Sequence, residues 1–85
     1  MTTVEWSDRG VEQIEDLEHD IQDRILNKLD EATEWTEHRL EPLTNYPYYK
    51  LRAGDYRVII DWKRDTDVLR VLAVGHRKNV YDRNL

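Results

Sequence analysis

Lys50, Arg52, Arg57 and Arg77 recur along alternating, strand-like sequence in the second half of this chain, with Tyr81 shortly after the last of them. Cations spaced in this way suit a surface that holds a phosphodiester backbone and cuts it. RNA breaks when its 2′-hydroxyl attacks the adjacent phosphorus. A catalyst must then stabilise the added negative charge of the phosphorane-like transition state, protonate the departing 5′-oxygen and deprotonate the 2′-hydroxyl. Arginine meets the first need, because its planar fork grips two phosphate oxygens and keeps its charge. Tyr, Lys or His side chains can move the protons. No metal or other cofactor is required, and the sequence has no carboxylate cluster or His pair at ligand spacing. Basic residues on strands also have a simpler reading, a solvated exposed face.

The rest of the composition bounds what can carry such a face. Eighty-five residues make one domain, 1–85, with a modest core. Hydrophobic content of 39% and charged content of 36% suit a compact fold and are too apolar for a disordered tail. The absence of cysteine excludes disulfides, thiolate metal sites and a Cys nucleophile. No apolar run approaches the roughly 18 residues that span a bilayer, and no signal-peptide pattern opens the chain, so no membrane partner and a cytoplasmic location are expected. The net charge of −5 argues against a nucleic-acid partner until it is divided by position. Residues 1–45 hold 4 Lys or Arg against 13 Asp or Glu, and residues 46–85 hold 9 against 5. A segregated basic half is what a polyanion binder needs. The acidic half fits either adaptation to high salt or an ordinary solvated helix face.

The elements that would position the cations follow from periodicity. Thr2–Trp6 is β-prone and short, an expected edge strand. Ser7 stands where a helix N-cap would, with Asp8 in the first turn. Val11, Ile14, Leu17, Ile21, Ile25, Leu29, Ala32 and Trp35 then recur at three- and four-residue steps. With Asp20 as a second N-cap, two helices over about 8–18 and 20–38 form a hairpin; a single unbroken helix is the alternative. Arg39–Pro47, holding both prolines, reads as a loop. Strands are expected over Tyr48–Arg52, Asp55–Lys63 and Val68–His76, with Ala53-Gly54 as the first turn and Asp65–Asp67 as the second. The fold class is α+β: a helical hairpin packed on one face of a mainly antiparallel four-stranded sheet, order β-α-α-β-β-β, with a short C-terminal segment that does no more than cap the sheet.

Alternation assigns faces. Tyr56, Val58, Ile60 and Trp62 should pack on the helices, leaving Arg57, Ile59, Asp61 and Lys63 on the other side. One of Tyr48 and Tyr49 must face that open side. The Ala53-Gly54 turn puts Lys50 opposite Arg57, a like-charge pair that a sheet tolerates where an anion binds. A three-residue second turn puts Arg57 opposite Gly75 and keeps Arg77 on the open face. It sends Leu72 and Val74 inward, at the cost of an inward Arg70. Gly75 would leave space for a ligand backbone.

The run Tyr49-Lys50-Leu51-Arg52-Ala53-Gly54-Asp55-Tyr56-Arg57-Val58-Ile59, followed by Val71-Leu72-Ala73-Val74-Gly75-His76-Arg77 and Val80-Tyr81, resembles the RelE/ParE superfamily of toxins from type II toxin–antitoxin systems, closest to its RelE branch. The resemblance extends over nearly the whole chain, Val4-Glu5-Trp6-Ser7 included. It implies a small ribosome-dependent endoribonuclease, an mRNA interferase that cuts mRNA in the A site and is neutralised by a cognate antitoxin. By this resemblance Arg57 and Arg77 stabilise transition-state charge, with Arg77 helping the leaving group. Tyr81 orients or stacks on the substrate nucleotide, and Lys50 matches one of two first-strand lysines. Arg52, His76, Lys78 and Tyr48 are added as RNA contacts. Tyr48 stands where the best-known member has its other lysine, the spacer from Arg77 to Tyr81 is short, and the overall acidity is unusual for a ribosome binder.

The same fold also serves ParE-like inhibitors of DNA gyrase, which bind a protein and do not cut RNA. A third reading is a weakened member that only binds its antitoxin, and the missing lysine is the feature that supports it. The implied antitoxin would wrap the domain with a helix and an extended segment, burying apolar surface near the helices or covering the basic face.

Overall fold

The computed structural model describes residues 2–84. Elements follow in the order β1 (Thr3–Trp6), α1 (Asp8–Glu15), α2 (His19–Glu34), α3 (Thr36–Arg39), β2 (Leu40–Pro42), β3 (Tyr49–Ala53), β4 (Tyr56–Lys63), β5 (Val68–His76) and α4 (Val80–Asn84). The sheet has five strands, ordered β1-β5-β4-β3-β2, rather than the expected four. The additional strand is β2, within the stretch read as a loop. Pro42 masked it, yet a proline is admissible on an edge strand, which is where β2 lies. All pairings are antiparallel except that of β1 with β5.

Ser7 begins α1 as expected. Its Oγ accepts from Gly10 N at 3.0 Å and donates to Leu72 O at 3.0 Å, while Ser7 N donates to Val71 O at 2.9 Å. The helix start is thereby fixed to β5. Gly10 permits the approach, since a Cβ there would lie 3.1 Å from Val71 O. Helix α1 is shorter than expected. The expected Asp20 cap is replaced by Glu18, whose side chain caps nothing, and Asp20 sits within the first turn. Helix α2 stops at Glu34, and a separate short turn of helix, α3, completes the stretch expected as one helix.

The main core lies between the helices and the inner face of the sheet. Ile14, Ile25, Leu29 and Ala32 meet Leu51, Val58, Ile60, Leu69, Val71 and Val74. Val11 and Trp35, at the ends of the expected helical stripe, remain 37% and 56% exposed. Trp35 is the residue at which α2 ends, so its ring falls past the core. Tyr49 faces inward, edge-on to Trp62 with ring centroids 5.4 Å apart, and Tyr48 faces outward.

Strand β5 carries the main correction to the expected faces. Arg57 does lie opposite Gly75, and Val74 points inward. Between Ile59 and Ile60, however, the register shifts: Ile59 pairs with Ala73 and Ile60 with Val71, leaving Leu72 as the additional residue of a β-bulge. The bulge reverses the parity of everything before it. Leu69 and Val71 therefore go inward, while Leu72 joins the outer side instead of the core. Arg70 is released to the outside, where its guanidinium lies 3.8 Å from Glu5. A charged residue in the core costs more than one unpaired backbone step, and the bulge avoids it.

The outer face is also less bare than expected. Ile59, Ala73 and Val80 form a second small core, flanked by Leu43, Tyr48, Leu72 and Tyr81. The C-terminal segment supplies its lid as helix α4. Gln13 ties α4 to the rest: its Oε1 accepts from Val74 N at 2.8 Å, and its Nε2 donates to Asn84 Oδ1 at 3.1 Å.

Candidate functional site

On the outer face, cross-strand neighbours form rows. One runs Gly75, Arg57, Arg52 across β5, β4 and β3. The next runs Ala73, Ile59, Lys50, Glu41 and reaches edge strand β2. The hairpin turn is Gly54-Asp55, since Ala53 pairs with Tyr56, so Arg52 rather than Lys50 lies opposite Arg57. Gly54, at φ +63°, supplies the left-handed step the turn requires. The shift from the expected register is two residues, which leaves every side chain on its expected face.

Arg52 and Arg57 are like charges placed directly opposite each other, an arrangement that destabilises a sheet. The side chains relieve it by parting. One Arg57 terminal nitrogen donates to Gly54 O at 2.7 Å and Tyr56 O at 2.8 Å, drawing that guanidinium to the turn. Arg52 leans towards β2, with its Nε 3.6 Å from Glu41 Oε1. Arg77 comes to the same turn as Arg57. Its backbone N donates to Asp55 O at 2.8 Å, and its Nε stands 3.9 Å from Asp55 Oδ1. The β3–β4 turn thus gathers both arginines.

Lys50 is half-buried, its side chain 28% exposed, with Nζ 3.6 Å from Glu41 Oε2. It shares with Tyr81 a groove of about 580 Å³, lined also by Leu43, Thr44, Asn45, Tyr46 and Asp82. Tyr81 is carried there by Val80, which is 1% exposed and seated over Gly75. A Cβ at Gly75 would meet Val80 Cβ at 3.3 Å, so the space expected beside Arg57 is filled by α4.

Lys50, Arg52, Arg57, Arg77 and Tyr81 therefore share the face away from the helical hairpin. His76 does not. It pairs with Tyr56, an inner-face residue, with ring centroids 5.5 Å apart, and its Nδ1 accepts from Lys78 N at 3.2 Å. Lys78 is exposed in the turn before α4. Tyr48 packs beside the outer core and lines a neighbouring groove with Arg9, Ile59 and Leu72. Sequence reasoning missed Glu41 and Asp55, the two carboxylates that hold the cations. Their signal was an acidic residue at an edge and in a turn, legible only once β2 and the turn register are known.

The family model described as the ParE toxin of type II toxin–antitoxin systems, parDE, matches residues 4–81. Among curated proteins no sequence matches the chain. Among solved structures, the chain resembles one from the RelBE2 toxin–antitoxin complex of Mycobacterium tuberculosis (TM-score 0.82, 18% identity, covering 89% of this chain and 98% of that one). It also resembles a chain of the intact Escherichia coli RelBE complex (TM-score 0.76, 23% identity, 89% and 96%). A third, from the RelB–RelE complex of Methanococcus jannaschii, gives a TM-score of 0.72 at 24% identity, covering 93% and 96%. At these identities the likeness speaks for the fold, and the family match spans most of the sequence. The chain belongs to the ParE toxin family of type II toxin–antitoxin systems, within the RelE/ParE superfamily.

Proposed function

We propose that this toxin is a ribosome-dependent endoribonuclease that cuts mRNA in the A site by metal-free attack of the 2′-hydroxyl, and so inhibits translation. The observation that carries this reading is the shared face: Arg57 and Arg77 come to one turn, and Lys50 and Tyr81 line an open groove on the same side of the sheet. Arg57 keeps donors beyond the terminal nitrogen spent on the turn, and these grip the non-bridging phosphate oxygens. Arg77 stabilises charge at the departing 5′-oxygen. Lys50 holds the backbone, and Tyr81 stacks on the nucleotide and assists removal of the 2′-proton. The pairing of Arg77 with Asp55 is long and more than half exposed, worth about 1 kcal/mol at most, so a phosphate can displace it. Arg52 and Lys78 extend the cationic track, and Tyr48 offers an aromatic edge where a second lysine is absent.

The partners in this reading are the ribosome with its mRNA and a cognate antitoxin, by likeness to the RelB–RelE complexes that share the fold. The site of action is the cytoplasm. The test is in-vitro translation with added wild-type protein or Arg77→Ala, with mRNA ends mapped. Ribosome-phased cuts that vanish in the variant are expected. A second reading, ParE-like inhibition of DNA gyrase, is favoured by the family model itself. DNA breaks with intact mRNA would support it and overturn the nuclease.

A further inference from the structure

We propose that the groove between residues 44–46 and α4 holds one unstacked RNA base between Tyr46 and Tyr81, with Lys50 on its phosphate and Asp82 reading its edge. This deepens the RNA-cleaving reading and rests on it. Tyr46 is a large aromatic residue left 44% exposed at the groove. It precedes Pro47, which biases its backbone to an extended conformation and stiffens the segment that presents it. Tyr81, in the same lining, is fixed independently, because it follows the buried Val80. Tyrosine rings that line a groove are surfaces on which splayed bases stack regardless of sequence. The volume, about 580 Å³, falls within the roughly 300–1,000 Å³ of small-ligand sites.

Charge divides the groove. Among the described residues that line it, Lys50 provides the single cation, so the phosphate belongs at that end once it replaces Glu41 as the ammonium's partner. Asp82 supplies the carboxylate, and the side chains of Thr44, Asn45 and Asp82 make no hydrogen bond or ion pair among the described residues. A carboxylate only accepts. It favours an edge bearing an exocyclic amino group, as in cytosine, over uracil, whose N3–H donor lies between two carbonyl oxygens that repel a carboxylate.

The test uses the whole chain and 2′-O-methylated hexanucleotides of cytosine or uracil, whose capped nucleophile prevents cleavage, read by fluorescence anisotropy. Wild type should bind the cytosine oligomer more tightly. Tyr46→Ala should weaken both by about five- to a hundredfold, the loss of one base stack, while Tyr46→Phe retains binding. Asp82→Asn should abolish the preference for cytosine. Equal binding of both oligomers by wild type, or unchanged binding by Tyr46→Ala, overturns the proposal. Ribosomal cleavage that persists with unchanged Tyr46→Ala binding removes the groove and leaves the nuclease. Tyr46-dependent binding without any cleavage does the reverse.

Discussion

Replacing Gly75 with alanine is expected to slow RNA cleavage about tenfold while leaving the fold nearly as stable. The added methyl would lie 3.3 Å from Val80 Cβ, 3.4 Å from its Cγ2 and 3.6 Å from its Cα. Carbon atoms rest at about 3.5–4.0 Å, so α4 must rise by a few tenths of an ångström. Gly75 is not among the residues with positive φ, so alanine fits the backbone and gains about 0.4–1 kcal/mol by restricting the unfolded chain. Overpacking costs about 1–3 kcal/mol, and the low end applies because a five-residue helix can shift. The net loss is about 0.5 kcal/mol or less, a fall in Tm of no more than roughly 2–4 °C. Activity is the more sensitive quantity, because Tyr81 moves with Val80. A displacement of about 1 Å can cost a hundredfold in rate, so a few tenths should cost about tenfold. The assay is primer extension on translating ribosomes beside thermal melting of the same preparation. Wild-type cutting in Gly75→Ala refutes the idea that Val80 positions Tyr81. A Tm loss above about 15 °C would instead make Gly75 a requirement of the fold.

Two further perturbations test the electrostatics and the turn. Glu41→Gln removes the anion 3.6 Å from both Lys50 and Arg52, so the affinity of the face for a single-stranded polyanion should rise about two- to fivefold at low salt and revert at high salt. Its melting temperature should scarcely move, because the Glu41 carboxylate is half exposed in both pairs; weaker binding would mean that Glu41 holds Lys50 in place. Gly54→Ala must adopt φ +63°, a cost of about 1–2 kcal/mol in urea unfolding, and Gly54→Asn should recover much of it. Equal stability of all three proteins would show that the turn relaxes to another conformation.

The outer face was legible because strand alternation has a period of two. Lys50, Arg52 and Arg57 were assigned to the correct side even with the turn misplaced, since an error of two residues preserves parity. The same rule failed on β5, where one additional residue at Leu72 reversed the pattern below it. The inward arginine implied at position 70 was the sign of that error. His76 was added as an RNA contact, although it points to the other side of the sheet from its strand neighbour Gly75. Helix α4 was invisible because five residues carry no usable period; Val80 gains its meaning only from Gly75 beneath it. Strand β2 disappeared behind its proline, and with it went Glu41 and the electrostatic restraint on Lys50.

The parallel contact of β1 with β5 bears on the order in which this toxin matures. Thr3 finds its partner at Val68, so that ladder must close nearly the full length of the polypeptide, whereas β3, β4 and β5 join through tight hairpins. Strand β5 ends at His76 of an 85-residue chain and is the hub for β1, β4, α1 and α4. The helices α1 and α2 precede it in the chain, so during synthesis they are made before the strand that their apolar stripe packs on. Until β5 is in place β1 has no link to the rest of the sheet, and a binding protein already present has that interval in which to reach the uncovered helices.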